Sequence, residues 1–480
     1  MPKPNGPFFR VLLGATALAA PQLAGAQATK ETELAARLER LESEVTQLRT
    51  ELAAARNQQD ETAATAANAV RKSDETSAQV TRLADSTPKL GFRSGNTNVV
   101  LSGYVKLLAS SARYSGGDDP SNTLGRDLYL PQSVPVFNPA FPTSPTRVTD
   151  FSAKQTRFWV DATTKLGKHA LKAYIEFDFQ AAPGTPQALG QGTQRTTNAY
   201  DLAMRRALIQ FDRWTFGQDF TNFSNPAVFP ESTDYVGGVD GLIFVRQPMV
   251  RYSLPLSHGL TLHLAAENPE TASATVGAPA LIENGQDHAP DMTGRLEYAG
   301  AFGFLNLAVL GRQLRVDNAK AGAAHIVDSR VGWGISTSGK IFLDDKHGSD
   351  IRFQATYGEG IGRYLGLNFG PDAVLQTNGQ LAGVRNLALF GAGRYALNDQ
   401  WRVNLIASYQ RIFYADTLDP ATTAGIAMFN RQAWSVAGNL FYSPVKNVDL
   451  GIEYRHGERR LVNDLNGHVD RFDVAAKYNF

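Results

Sequence analysis

Alternation of apolar and polar residues restricts the fold of this chain most, and residues 468–480 (HVDRFDVAAKYNF) show it plainly. Phe472 and Val474 fall on one parity of this segment, whereas Arg471 and Asp473 fall on the other. Successive side chains of a strand point to opposite faces, so the segment predicts a strand with one apolar and one polar face. An apolar outer face suits a closed barrel in lipid better than the exposed edge of a soluble sheet.

The same pattern recurs through residues 88–480. Segments of about ten residues alternate in polarity and are separated by clusters of Gly, Pro, Asn and Asp. In one such segment, Ile351 and Phe353 oppose Arg352 and Gln354. Counting these segments gives about 16 strands. The sequence therefore predicts an all-β transmembrane barrel, antiparallel, for residues 88–480.

Connection lengths also alternate along this region. Short turns are predicted near residues 166, 212, 256, 300, 345, 398 and 445. Long connections are predicted at 115–153, 181–200, 219–240, 269–289, 360–385 and 416–430. Outer-membrane barrels have short periplasmic turns and long outer loops, whereas a soluble sandwich has no reason for such alternation.

Residues 1–26 are predicted to be a signal peptide. Lys3 and Arg10 precede the short apolar run 11–20, and Ala24-Gly25-Ala26 has the small residues of a cleavage site. The apolar run is too short to span a membrane. Export through the inner membrane agrees with a final location in the outer membrane.

Residues 27–87 are predicted to be a coiled-coil stalk in the periplasm. The seam is formed by Leu34, Leu38, Leu41, Val45, Leu48 and Leu52. Their spacing alternates between four and three, which places them at the d and a positions of a heptad, and charged residues occupy most other positions. This pattern favours self-association but does not decide between a dimer and a trimer. Pro88 follows the helix and marks the boundary with the barrel.

Composition and motifs exclude several other functions. The chain has no Cys, and its 47 basic and 46 acidic residues give no net charge that would favour nucleic acid. No G-x-S-x-G or H-E-x-x-H motif occurs, so we assign no catalytic, cofactor-binding or metal-binding residue. The oxygen ligands Asp464, Asn466 and Asp470 suit calcium, but a hairpin turn explains them equally well.

Residues of the parity opposite to the apolar face are predicted to line a water-filled bore. Its basic residues are Lys106, Arg157, Lys172, Arg206, Arg295, Arg312, Arg330, Arg352, Arg394, Arg402, Arg455, Arg471 and Lys477. Its acidic residues are Asp161, Glu176, Asp178, Glu267, Glu297, Glu453 and Asp473. Thirteen basic against seven acidic side chains favour anions in a channel with low-dielectric walls. Alternatively, the charges pair within the lumen and leave no preference.

Residues 217–252 form the most distinctive stretch of the chain. The middle of this stretch is long and punctuated by Pro and Gly, and it leads to a strand interrupted at Pro248. Irregular backbone in a barrel is tolerated where it lines water. The stretch is therefore predicted to fold inward and narrow the bore.

This stretch resembles the DcaP-like family of trimeric outer-membrane porins. The matching motifs are Gly217-Gln218, Pro230-Glu231, Asp234-Tyr235, Gly237-Gly238, Val245-Arg246-Gln247-Pro248 and Arg251-Tyr252. The N-terminal leucine heptads and the GYVK element at 103–106 extend the resemblance over essentially the mature chain. The resemblance implies a trimeric barrel of 16 strands that passes small anionic solutes, such as dicarboxylates, by diffusion.

The resemblance also implies site residues. By this analogy Arg246 and Arg251, with Asp219, Glu231 and Asp234 nearby, are candidates for the constriction. Alternatively, one or both arginines pin the folded loop to the wall instead of meeting solute. The natural solute is the least transferable part of this analogy, because strand registers and long loops are where this chain can depart from its relatives.

The sequence thus predicts an outer-membrane porin whose partners are small anionic solutes, membrane lipid and copies of itself. The strand that ends at Phe480 is similar to the end signal of bacterial outer-membrane barrels, which implies insertion by the barrel-assembly machinery. Two other functions stay open. A barrel lipase would need a Ser, a His and an acid on the lipid-facing wall, where the pattern has apolar residues, and a structural tether would have a plugged bore.

Overall fold

Strands dominate the part of the chain that the computed structural model describes. That part comprises residues 47, 50, 90–117, 119–120, 124–136, 143–180, 200–257, 259–317, 325–415 and 425–480. The chain divides into two units, Met1–Leu83 and Ala84–Phe480. The predicted signal peptide and coiled-coil stalk lie outside the described residues, apart from Gln47 and Thr50, which are helical.

The described residues of the second unit form 22 strands and a few single helical turns. The strands are β1 Gly91–Ser94, β2 Thr97–Tyr114, β3 Thr146–Ser152, β4 Arg157–Leu166, β5 His169–Asp178, β6 Ala203–Phe211, β7 Trp214–Phe220, β8 Arg246–Ser257, β9 Leu260–Glu267, β10 Ala272–Thr275, β11 Ala278–Glu283, β12 Asp291–Gly300, β13 Gly303–Asp317, β14 Val327–Phe342, β15 Asp350–Glu359, β16 Ala373–Leu375, β17 Leu381–Gly383, β18 Arg385–Ala396, β19 Trp401–Phe413, β20 Asn430–Tyr442, β21 Val448–Leu461 and β22 Asn466–Asn479. The helical turns are α1 Leu124–Asp127 and the 3-10 turns Pro131–Ser133, Pro226–Val228, Val239–Gly241 and Gly362–Tyr364. No helix among the described residues combines the length and the apolar character of a membrane span.

Sixteen antiparallel strands close into a barrel. Each barrel strand pairs with its neighbours along the chain, and β3 and β4 together fill one position because both pair with the same edge of β2. The last strand, β22, closes the ring by pairing with β2 from Tyr104–Asn479 to Tyr114–Val469. The predicted barrel of about 16 strands is confirmed. Because the ring is closed, the barrel strands have no unpaired edge in the membrane, where an unpaired edge would be unstable.

The two faces of the barrel wall differ as the alternation predicts. Outward residues such as Val331 and Leu405 are 78% and 72% exposed, whereas the inward Arg455 is 1% exposed. The outer face contacts lipid hydrocarbon, where apolar side chains are stable and charged side chains are not. The charged side chains therefore lie on the inner face. Short turns and long connections alternate around the ring, so the barrel has a turn end and a loop end.

One predicted connection is shorter than expected. The sequence predicts a single long connection at 115–153, but β3 occupies the last part of this segment and continues the barrel strand that β4 begins. Residues 153–156 interrupt this strand, and Ala153 accepts a hydrogen bond from the Thr156 amide at 2.9 Å. Such a break re-aims side chains locally, and Gln155 in this break points into the barrel, 2% exposed.

A second, smaller sheet lies among the long connections. It contains β10, β11, β16 and β17, with β10 and β16 parallel. Its residues Val374 and Ala382 pack with Ile412 of the barrel wall, and Ala373 packs with Leu314. Part of the inward face is therefore apolar and dry rather than water-lined, because inserted chain covers it.

Candidate functional site

The chain between β7 and β8 folds into the barrel, and we call residues 221–245 the inserted loop. At its base, the Thr221 amide donates to the Val245 carbonyl at 3.0 Å. Asn225 then caps a short 3-10 turn by accepting a hydrogen bond from the Ala227 amide at 3.1 Å. The stretch that the sequence singles out thus enters the barrel interior.

Apolar packing fixes one side of the inserted loop. Val239 and Leu242 are fully buried against Phe390 and Ile406 of the wall. Gly241 lies so close to β18 that a β-carbon would collide with the Leu389 carbonyl. Only glycine allows this approach of two backbones. Burial of large apolar side chains stabilises by about 1.5–3 kcal/mol each, so the loop is held firmly.

A buried carboxylate adds a polar anchor. Asp240 in the inserted loop accepts hydrogen bonds from the hydroxyls of Ser408 (2.6 Å), Tyr129 (2.9 Å) and Ser435. Burial raises the pKa of Asp240, and the three hydroxyl donors offset part of this rise. Burial also raises the pKa of Tyr129 well above its ordinary value. The network joins the loop to β19, β20 and the segment after α1.

The tip of the inserted loop is fastened by ion pairs. Glu231 pairs with Arg402 at 2.7 Å and lies 3.6 Å from Arg394. Arg402 also pairs with Asp449 at 2.9 Å. Arg352, held by Asp350, donates to the Phe229 carbonyl. Glu231, Arg352, Arg394 and Arg402, four of the candidate residues, are thus brought together where the loop meets the wall.

Other arginines lie on the opposite side of the interior, where β4, β6, β7 and β8 form what we call the arginine wall. Its members are Arg157, Arg205, Arg206, Arg246 and Arg251. Arg157 pairs with Glu176 at 3.0 Å and Asp178 at 2.8 Å. Arg205 also pairs with Asp178, while Arg206 and Arg251 share Asp219 at 2.7 and 3.0 Å. The structure thus joins the candidates Arg206, Arg251 and Asp219.

Exposure separates the two signs of charge on the arginine wall. The four paired arginine side chains are 13–28% exposed, whereas those of Glu176, Asp178 and Asp219 are 0–6% exposed. The carboxylates therefore lie beneath the guanidinium groups. Electrostatic interactions weaken with distance, so a solute in the bore interacts more strongly with the exposed guanidinium groups than with the carboxylates beneath them.

A β-bulge makes two consecutive arginines point inward. The pairing of β5 with β6 shifts register, with Glu176 opposite Arg206 and Phe177 opposite Met204, so Arg205 is the extra residue. Met204 is exposed on the outer surface, while Arg205 and Arg206 both bind inner carboxylates. Without the bulge, Arg205 would face lipid, which is costly for a charged group.

Arg246 differs from its neighbours because it has no ion pair among the described residues. Its guanidinium carbon lies 4.7 Å from the ring centre of Phe220 and 4.8 Å from that of Phe244. The hydrogen bond that it donates to the Tyr235 hydroxyl is long, 3.4 Å. Cation–π contacts orient the positive group without neutralising it. Arg246 therefore presents a fixed and uncompensated charge.

Among the described residues, the remaining candidates form no ion pair with the charged side chains of the arginine wall. Arg295 donates to the Ser224 carbonyl at 2.8 Å, and Arg330 pairs with Glu359 at 3.3 Å near the loop end. Lys106 donates to the Thr233 carbonyl at 2.7 Å. Asp234 accepts a hydrogen bond from the Tyr235 backbone amide at 2.8 Å, so this carboxylate supports the fold of the loop tip.

Sequence reasoning missed Arg205 and the aromatic side chains of Phe220, Tyr235 and Phe244. The signal for Arg205 was present, because two adjacent arginines in a membrane strand require a bulge to keep both from lipid. The aromatic contacts had no such signal, since they depend on the path of the inserted loop. Within the described ranges, no three His, Asp or Glu side chains are arranged to hold a metal ion.

Comparison with known proteins agrees with this architecture. The family model described as DcaP outer membrane protein matches residues 131–480. The outer membrane channel DcaP of Acinetobacter baumannii superposes with a TM-score of 0.61 at 22% identity, over 81% of this chain and 99% of that one. This likeness supports the barrel fold alone. No curated protein gives a significant match.

Two further solved structures are less similar. The anion-selective porin from Comamonas acidovorans has a TM-score of 0.48 at 9% identity, over 80% of this chain and 100% of that one. OmpT of Vibrio cholerae has a TM-score of 0.46 at 12% identity, over 81% and 99%. We infer nothing about the function of this chain from similarities at this level.

Proposed function

The chain belongs to the DcaP outer membrane protein family, and from that premise we propose that it is an outer-membrane porin with a preference for anions. Small hydrophilic solutes diffuse through the space between the inserted loop and the arginine wall. The natural solutes are small organic anions, with dicarboxylates the class implied by the resemblance. The channel is passive, and no step of covalent chemistry is involved.

The charge balance of the arginine wall carries the anion preference. The arginine wall has five arginines and three carboxylates, an excess of two positive charges. Arg246 has no carboxylate partner among the described residues. In a narrow bore with low-dielectric walls, such an excess raises the local concentration of anions. The inserted loop narrows the space beside this wall, because it fills much of the opposite side and its Tyr235 reaches the wall, where the hydroxyl donates to Asp178 at 2.9 Å.

The test measures reversal potentials of the purified protein in planar bilayers with a KCl gradient. Arg246→Ala removes the unpaired charge, so we expect the preference for chloride over potassium to fall clearly. Arg431→Ala serves as the matched control, because Arg431 pairs with the exposed Asp464 at 2.7 Å. Equal reversal potentials in the wild type and Arg246→Ala would instead give Arg246 an anchoring role.

The same recordings separate the alternative functions. A barrel lipase would hydrolyse ester substrates without a conducting bore, and a structural tether would neither conduct nor hydrolyse. We also propose that the protein forms a homotrimer, following the resemblance to trimeric porins and the leucine heptads of residues 27–87. Light scattering of the full chain tests this state, and a monomeric mass would contradict it.

A further inference from the structure

A polar cavity of about 220 Å³ lies beside the arginine wall. The loop tip 230–235 forms one side of it, and β2, β20, β21, β22, the break between β3 and β4, and the start of β4 form the rest. Arg157 belongs to both the cavity and the wall, and its guanidinium carbon lies 5.1 Å from the ring centre of Tyr235, which also lines the cavity. The cavity is therefore a side chamber of the proposed pathway.

Several donor groups in this chamber lack partners. The Lys106 ammonium donates to Gln155 Oε1 at 2.6 Å and to the Thr233 carbonyl at 2.7 Å, which leaves one of its three protons unused. Gln155 is 2% exposed, and its Nε2 has no hydrogen-bond partner. Because Oε1 faces an ammonium, the amide cannot be reversed. Arg157 Nε is also buried without a partner.

Charges around the chamber are compensated unevenly. Glu231 and Asp449 both pair with Arg402, and Asp234 accepts backbone amide protons from Tyr129 and Tyr235. Lys106, in contrast, forms no ion pair with any described carboxylate. A buried ammonium without a counter-ion is costly. Lys477 also lines the chamber, so its three basic side chains balance the carboxylates of Glu231, Asp234 and Asp449. Among the described residues, however, Lys106 has no direct ion-pair partner and several N–H groups have no acceptor.

We propose that this chamber binds the carboxylate of a small monoanion through Lys106, Gln155 and Arg157. A carboxylate supplies a direct counter-ion for Lys106 and acceptors for the unused N–H groups. A volume of 220 Å³ corresponds to about seven waters at ~30 Å³ each, which suits a short-chain monocarboxylate. A dianion fits less well, because its second charge would face Asp234. The inference rests on the proposed passage of anions but concerns a separate, saturable site.

The experiment titrates sodium butyrate against the chloride current of the full-length protein in planar bilayers. The wild type should show a saturable reduction of current with butyrate and a much weaker one with succinate. Lys106→Met should raise the half-saturating concentration of butyrate about tenfold or more, since hydrogen bonds to charged groups contribute about that factor. Gln155→Glu should have the same effect, because its carboxylate would pair with Lys106 and replace the ligand.

Lys168→Met is the matched control, since Lys168 lies in the exposed turn between β4 and β5. Each variant is first shown to conduct chloride, which excludes misfolding. Unsaturable butyrate inhibition, an unchanged half-saturating concentration in Gln155→Glu, or an equal effect in Lys168→Met would overturn the site. Anion selectivity without saturation would contradict this inference alone. Cation selectivity with saturable butyrate binding would contradict the proposed function but would support the binding site in the chamber.

Discussion

Two sides of the barrel interior use inward arginines differently. On one side, which we call the anchoring wall, Arg352, Arg402, Arg455 and Arg471 are 2–12% exposed and bind inserted chain or buried acids. Arg471, for example, donates to the Asp127 carbonyl at 3.0 Å and pairs with Asp473 at 2.9 Å. On the arginine wall the guanidinium groups are more exposed and lie above their carboxylates.

This difference shows that the inward position of an arginine does not decide its role. The decisive factor is how far inserted chain covers it. Where the inserted loop and the segment after α1 lie over the wall, the arginine satisfies backbone carbonyls and buried acids, so it supports the fold. On the arginine wall, which the inserted loop covers only in part, the paired arginine side chains stay 13–28% exposed and are available to solute.

The largest effect on folding is expected from Arg455→Met on the anchoring wall. Arg455 pairs with Glu453 at 2.8 Å, and both side chains are almost fully buried. Loss of one partner leaves a buried charge, which costs about 3–5 kcal/mol. Thermal unfolding in detergent should shift clearly downward, while selectivity in surviving channels stays near that of the wild type. The double variant with Glu453→Gln should recover part of the loss; no recovery would contradict this reason.

A smaller effect is expected from Glu231→Gln, which weakens the fastening of the loop tip to Arg402. A charged hydrogen bond of this kind contributes on the order of 1.5–3 kcal/mol. The tip should then fluctuate, so single-channel recordings should show more current noise. Asp464→Asn, which breaks the exposed pair with Arg431, is the control. Steady currents in both variants would mean that the apolar contacts alone hold the loop.

Arg205→Ala tests the bulge on the arginine wall. It removes one positive charge, but Arg157 still pairs with Asp178 at 2.8 Å, so the reversal potential should move less than in Arg246→Ala. Met204→Ala, on the outer surface, should leave the reversal potential unchanged. If Arg205→Ala also had no effect, the second inward arginine would not contribute to selectivity.

The smallest effect is expected from Arg330→Ala. Arg330 is 44% exposed and pairs with Glu359 at 3.3 Å. Exposed ion pairs contribute about 0–1 kcal/mol, and this one lies apart from the arginine wall. Both the unfolding temperature and the reversal potential should stay close to wild type. A shift as large as that of Arg246→Ala would contradict the division into two walls.

The sequence predicts the barrel well because its main signal is local. Alternation at Ile351 and Arg352 shows which side chain faces lipid, and Gly and Pro clusters mark the turns. β3 was missed because its residues lie in a segment read as one long connection. Since strands adjacent in the chain pair with each other, few long-range contacts are needed to derive the ring.

The candidate site was less predictable, since its contacts join distant parts of the chain. Glu231 meets Arg402, 171 residues away, and no local pattern reveals this pair. The apolar inward residues Leu314 and Ile412 are understandable only once the second sheet packs on them. The register shift at Arg205 likewise depends on the partner strand.

The reversal potential of the wild-type channel in a KCl gradient tests the central claim most directly. A partly exposed wall with five arginines and three carboxylates predicts a potential whose sign shows preference for chloride. A potential of zero, a preference for potassium, or the absence of any conductance would contradict the account.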